Sequence, residues 1–221
     1  MSIQKNIKEI NNQLIGTQAK LIAVSKTKPV EMLMEAYNGG CKRFGENYVQ
    51  ELVDKQATMP SDIEWHFIGH LQTNKVRYIA PFVSLIHSVD SFKLLFEIDK
   101  QAGKNKRVIN CLLQLHIAQE DTKTGMTETE LVAILNSEAL SNLQNIKVIG
   151  LMGMSTFTDD MAVVRQEFKT LKDIFDRVKH IEKDNCKLTE ISMGMSGDWK
   201  IAIEEGSTMI RVGSAIFGER A

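Results

Sequence analysis

Short apolar runs return along this chain at near-regular intervals, separated by longer stretches in which apolar residues recur every three or four positions. The runs are Leu21 to Lys26, Arg43 to Glu46, Trp65 to Gly69, Leu85 to Val89, Ile109 to Ile117, Val148 to Met154, Thr189 to Met195 and Met209 to Gly213. Runs of this length bounded by turn residues predict strands, and the longer period between them predicts helices. Ahead of the first run, Ile3, Ile7, Ile10 and Leu14 form one stripe, which predicts an extra N-terminal helix. The longest helical stretch runs from about Met161 to Lys183, with Val164, Phe168, Leu171, Phe175 and Val178 on its apolar side. Boundary signals agree: Pro29 opens a helix that closes at Asn38-Gly39-Gly40. Asn47 with Gln50, and Thr127 with Glu130, have capping-box spacing, while Gly103 and Gly206 suit C-terminal caps.

Strand and helix alternating eight times imply parallel strands joined by right-handed crossovers. The predicted class is α/β, a single (β/α)8 TIM barrel with an extra N-terminal helix, occupying residues 1–221 as one domain. An open doubly wound sheet is the competitor. It is disfavoured because Ser25-Lys26-Thr27-Lys28-Pro29, after the first strand, has no glycine to let a pyrophosphate approach the backbone. The one long polar connection, Ala118 to Gly125, follows strand five and is expected to act as a flexible cover on the active-site face.

Charge changes the picture by exclusion. Lysine plus arginine number 27 against 28 aspartate plus glutamate, with no long run of one sign, so neither nucleic acid nor an anionic membrane is an expected partner. Cys41, Cys111 and Cys186 are far apart within apolar segments, which fits buried thiols in a reducing compartment. Met1 to Leu14 has no apolar run of signal-peptide or membrane-spanning length, and the expected location is the cytoplasm. No exposed apolar seam is evident, so a monomer is expected.

Candidate chemistry gathers at strand ends. Alternation puts Lys26 on the face of Ile22 and Val24, where desolvation favours the neutral amine that a Schiff-base lysine needs. The alternative is a lysine snorkelling to solvent. Strand seven ends Ser192-Met193-Gly194-Met195-Ser196-Gly197-Asp198, and strand eight ends Arg211-Val212-Gly213-Ser214-Ala215-Ile216-Phe217-Gly218. Glycine and serine at turns into helices offer N–H groups and hydroxyls to a phosphate, although Ser196 and Asp198 as helix caps, and Gly213 as a tight turn, explain them too. In a closed barrel strands one and eight are neighbours, so Lys26, Arg211 and the Gly213-Ser214 turn converge. Arg211 either forms a structural ion pair at the rim or faces a ligand. An amine, a permanent cation and a phosphate cradle together suit pyridoxal 5'-phosphate (PLP). An arginine on its ring nitrogen leaves that nitrogen unprotonated and weakens the ring as an electron sink.

The segments 23–29 (AVSKTKP), 44–51 (FGENYVQE), 66–72 (HFIGHLQ), 192–196 (SMGMS) and 211–218 (RVGSAIFG) closely resemble the pyridoxal phosphate homeostasis protein family, in order and over nearly the whole chain. The resemblance implies a barrel like the N-terminal domain of alanine racemase, with PLP held as a Schiff base on Lys26. It places Arg211 on the pyridine nitrogen, Ser196, Gly213 and Ser214 on the phosphate, and Asn47 near the cofactor. It implies service to vitamin B6 and amino-acid homeostasis without an established reaction, so the partners expected are PLP and PLP-dependent apo-enzymes.

A racemase needs acid-base groups on both faces of its substrate. The chain ends at Ala221, and of its tyrosines only Tyr48, just past strand two, is placed to approach the site. A carrier with at most residual racemase or transaminase turnover is therefore expected. An aldolase-type barrel using Lys26 on a phosphorylated sugar is the other alternative. Lys28, directly before Pro29, is not directed by the barrel and is expected near the phosphate. His66 and His70 are four apart on a strand-like run, which separates their imidazoles; no metal site is expected.

Overall fold

The computed structural model describes residues 2–119 and 124–219. Eight parallel strands close into a barrel in sequence order: β1 (Lys20–Val24), β2 (Arg43–Glu46), β3 (Glu64–Phe67), β4 (Leu85–Val89), β5 (Ile109–Gln114), β6 (Ile146–Met152), β7 (Cys186–Ser192) and β8 (Met209–Val212). Closure pairs the first strand with the last, with Ile22 opposite Arg211 and Ala23 opposite Val212. The helices are α1 (Ile3–Leu14), α2 (Val30–Asn38), α3 (Val49–Gln56), α4 (Val76–Ile79), α5 (Phe92–Lys104), α6 (Glu128–Asn136), α7 (Glu138–Ser141), α8 (Met161–Val178), α9 (Trp199–Glu204) and α10 (Ser214–Phe217). The predicted barrel and its additional first helix are what the chain forms.

Helix α1 buries the expected stripe, Ile3, Ile7, Ile10 and Leu14. At about 1.5–3 kcal/mol for each fully buried aliphatic side chain, that stripe is ample to hold one short helix on the barrel. Most of the core lies between sheet and helices, as in Phe44, Phe67, Phe168 and Leu171. Inside the barrel a separate cluster of Leu85, Leu112, Met152 and Met209 fills the lower lumen. One alternation further along β4 and β8 the filling turns polar, with His87 and Arg211 buried.

Several strands stop earlier than their apolar runs suggest. β1 ends at Val24, β3 at Phe67, β5 at Gln114, β6 at Met152 and β7 at Ser192, so the residues after them sit in turns rather than ladders. Apolar character continues because the turns are also buried, whereas a ladder lasts only as long as its neighbour does. Beyond β5, Leu115 keeps a single bridge to Met126. Half of the proposed cover at Ala118 to Gly125, residues 120–123, lies outside the described residues; of its ends, the Gln119 N–H donates to Thr156 Oγ1 (2.9 Å).

The local signals fared unequally. Thr127 and Glu130 form a reciprocal capping box, and Gly206 follows α9 at φ +93°. Asn47 and Gln50 do not: α3 starts after Tyr48 with no side-chain cap, and Gln50 Nε2 donates to Asp54 Oδ1 (2.9 Å). Gly103 lies inside α5 rather than after it, and a side chain there would meet the Asn145 amide at 2.9 Å. Helix α8 stops at Val178, short of Lys183, because Lys183 bridges Cys186 as the chain turns into β7.

Candidate functional site

At the C-terminal ends of the strands a cavity of about 580 Å3 is lined by Lys26, Lys28, Asn47, Ser196, Arg211, Gly213 and Ser214. The residues expected to hold a cofactor all line this one space. Val24, Ile68, Met154, Met161 and Val164 supply its apolar wall, and Phe157, 93% exposed, stands in its lining beside them.

Lys26 arrives there by a turn, not by strand alternation. Ser25 still bonds the sheet through its N–H to Gly45 O (3.0 Å), and Thr27 then takes φ +61°, the left-handed conformation that a β-branched residue adopts only when held. The hold is a buried ionic group that sequence reasoning missed. Lys55, 5% exposed, donates to Ser25 O (2.7 Å), Glu46 Oε1 (2.8 Å) and Glu51 Oε1 (2.6 Å). Glu46 also accepts from the Ser25 hydroxyl (2.6 Å), and Glu51 accepts from the Thr27 N–H (2.6 Å). The peptide groups on either side of Lys26 are thus clasped. Burial raises the Glu46 carboxyl above its ordinary range, against the pull of Lys55 and Ser25. The one available signal was the four-residue spacing of Glu51 and Lys55, which ordinarily marks a solvated helix face.

Arg211 is 4% exposed and forms no rim ion pair among the described residues. Its Nη1 donates to Ser192 Oγ (2.6 Å) and its Nη2 to Gly153 O (3.0 Å), while burial lowers its proton affinity to about 10. Ser192 in turn meets His87 Nδ1 (2.9 Å), and His87 Nε2 meets His66 Nδ1 (2.8 Å). The spacing of His66 and His70 concealed this pairing, since the contact is across strands. His66 is buried, whereas the largely exposed His70 lies 3.5 Å from Asp90, and the described residues contain no cluster of three or more metal-ligating side chains.

At the β7 and β8 turns, Ser196 Oγ accepts from the Gly213 N–H (3.1 Å) and more weakly from the Ala215 N–H (3.5 Å). A side chain at Gly213 would sit 3.2 Å from Val24 O, so glycine keeps the β8 turn close against β1. Asp198 is not a side-chain cap of α9; it accepts from the Met195 N–H (2.5 Å) and the Ser155 hydroxyl (2.9 Å). Asn47, freed from its expected capping role, holds its Oδ1 buried without a hydrogen-bond partner. Lys28 donates to Glu219 O (2.8 Å) at the cavity edge. Tyr48, expected to approach, is 58% exposed and absent from the lining.

The family model described as "Alanine racemase, N-terminal domain" matches residues 1–221. The "Pyridoxal phosphate homeostasis protein" of Aquifex aeolicus is 43% identical over 203 residues, covering 91% of this chain and 87% of that protein. The chain belongs to the pyridoxal phosphate homeostasis protein family. Among solved structures, PipY of Synechococcus elongatus is similar to this chain both without PLP (TM-score 0.91, 37% identity, 98% of this chain and all of that one) and with PLP bound (0.88, 36%). Alanine racemase from Streptomyces lavendulae superposes over 99% of this chain and 57% of its own (TM-score 0.82, 14% identity), a likeness of fold.

Proposed function

We propose that this chain holds PLP in the cavity above the barrel, covalently on Lys26, and serves the handling of that cofactor rather than a fast reaction of its own. The observation that carries the proposal is the meeting, in one cavity, of the Lys26 side chain, the Arg211 guanidinium and the Ser196/Gly213/Ser214 turns. Two features of the site fit the group: the partnerless Asn47 Oδ1, and Ser196 lying on the very N–H groups a phosphate takes. Bound PLP brings an aldehyde that condenses with a primary amine and a ring that accepts electron density.

The residues divide the work. Lys26, steadied by the Glu46–Lys55–Glu51 clasp, is the amine. Ser196, Gly213 and Ser214 take the phosphate, Arg211 donates to the pyridine nitrogen, and Asn47 contacts the cofactor. Arg211 stays charged at neutral pH even with its affinity lowered to about 10, so it donates its proton density without surrendering a proton. Among the described residues no tyrosine lines the cavity, which favours a carrier over a racemase with acid-base groups on two faces. We place this activity in one barrel unit acting as a monomer in the cytoplasm, where the thiols stay reduced. All three cysteines are buried and free, with burial pushing Cys41 and Cys186 to about 11. The recipients we assign are PLP-dependent apo-enzymes.

The test is an absorbance spectrum of the purified protein, borohydride reduction and peptide mapping. Visible absorbance and a reduced adduct on the Lys26 peptide are expected. A colourless protein trapped by borohydride only with a sugar phosphate establishes the aldolase-type alternative instead.

A further inference from the structure

We infer that Ser192, His87 and His66 form a one-way chain of hydrogen bonds starting at Arg211, and that these three are positioning residues for the end of the cavity that receives the cofactor ring. The inference rests on the cofactor reading above for its role, while the direction of the chain follows from giving each buried polar hydrogen an acceptor.

A guanidinium has donors and no acceptor, so at 2.6 Å from Arg211 Nη1 the Ser192 oxygen accepts. The hydroxyl has a single proton, and its one other side-chain partner among the described residues is His87 Nδ1 at 2.9 Å; were the imidazole to donate there instead, the buried hydroxyl proton would be left without an acceptor. The proton goes there. His87 therefore accepts at Nδ1 and carries its own proton on Nε2, which lies 2.8 Å from His66 Nδ1. His66 accepts in turn and carries its proton on Nε2 as well. With the chain running in this direction, a charged imidazole at either position sets two donors against each other. Burial works in the same direction, pushing His66 down to about 3 and His87 well below its ordinary range.

The chain answers a problem of the lumen. Just below it, Leu85, Leu112, Met152 and Met209 pack as an ordinary barrel interior. Arg211 brings a cation into that interior with no carboxylate in hydrogen-bond contact among the described residues, and Asp198, whose charge acts on it from further off, is occupied by Met195 and Ser155. Successive dipoles, each with its positive end pointing away from Arg211, spread that charge across β8, β7, β4 and β3. With Ser192 and Gly153 holding two of its nitrogens, the guanidinium is fixed in plane and rotation where Arg211 lines the cavity.

The first test needs no ligand and no variant. Imidazole 15N NMR of the ligand-free protein should show His66 and His87 neutral, both protonated on Nε2, from pH 5 to 8; an Nδ1–H tautomer at either, or titration near 6.5, overturns the chain. The second compares PLP binding. Ser192→Ala should weaken it about 10-fold and shift the absorbance of the bound cofactor, since a hydrogen bond to a charged group is lost. Ser192→Thr, which keeps the hydroxyl, should restore both. Wild-type affinity and an unshifted spectrum in Ser192→Ala overturn the positioning role. If the wild-type protein binds no PLP, the cofactor reading fails while the NMR result still decides the chain, and it decides likewise if Ser192→Ala does not fold.

Discussion

Two acceptors meet the Arg211 guanidinium, the Ser192 hydroxyl at 2.6 Å and the Gly153 carbonyl at 3.0 Å, and neither carries charge. An arginine so placed is costly in the free protein and useful to a bound ring, because a ligand acceptor completes a shell the protein leaves open. Arg211→Ala should therefore weaken PLP binding by one to two orders of magnitude, roughly a charge-assisted hydrogen bond, with borohydride trapping on Lys26 retained. Lys28 belongs to the same scale. It lines the cavity while its amine is tied to Glu219 O, so Lys26→Ala should abolish the main trapped adduct and leave a weak one on the Lys28 peptide. Peptide mapping that finds no such adduct removes Lys28 from the site. His66 yields a pH prediction. Its folded affinity of about 3 lies below the unfolded value near 6.5, so above 6.5 the two states bind equal protons. As pH falls below 6.5 the unfolded state takes up a proton that the native state refuses, and stability drops by up to about 1.4 kcal/mol per unit for each such histidine. Glu46, with a raised affinity, acts in the opposite sense. The comparison to make is therefore between wild type and His66→Gln: urea midpoints between pH 6.5 and 5 should fall less steeply in the variant.

Strand ends and the turns after them form the next scale, and there the sequence misleads in a consistent way. Lys55 looks like the solvated half of a helical pair, yet α3 packs so that the residue is 5% exposed and its amine ties together Ser25, Glu46 and Glu51. Nothing local distinguishes the two outcomes, since both use the same spacing. Lys55→Ala leaves the Glu46 carboxylate buried without its cation, and a loss of about 3–5 kcal/mol in urea unfolding is expected. Glu51→Gln keeps an acceptor for the Thr27 N–H and should cost far less stability. It should nevertheless slow attachment of PLP to Lys26 in stopped-flow absorbance, because the turn carrying the amine is less firmly held. The β7 turn offers a steric counterpart. Gly194 takes φ +94°, and a side chain there would approach Ala202 Cβ at 2.6 Å, so Gly194→Ala should destabilise by at least about 1–2 kcal/mol.

At the scale of the molecule, closure of the barrel brings β1 beside β8, and with it Lys26 beside the turns that follow Arg211. Lacking a cavity tyrosine among the described residues, the site should turn over amino acids below the ordinary enzyme range of about 1 to 1000 per second, as a coupled racemase assay will show. The sequence by itself determined the number and order of the strands and the first helix, because hydrophobic period is a local property that folding only has to satisfy. Only the tertiary structure decided where each strand stops, that Lys55 is buried, that Asn47 caps nothing, and that His66 and His87 touch. Those outcomes depend on what lies across the neighbouring strand or beneath the packed helix, and hydrogen-bond partners contributed by distant parts of the chain leave no trace in the spacing of residues along it.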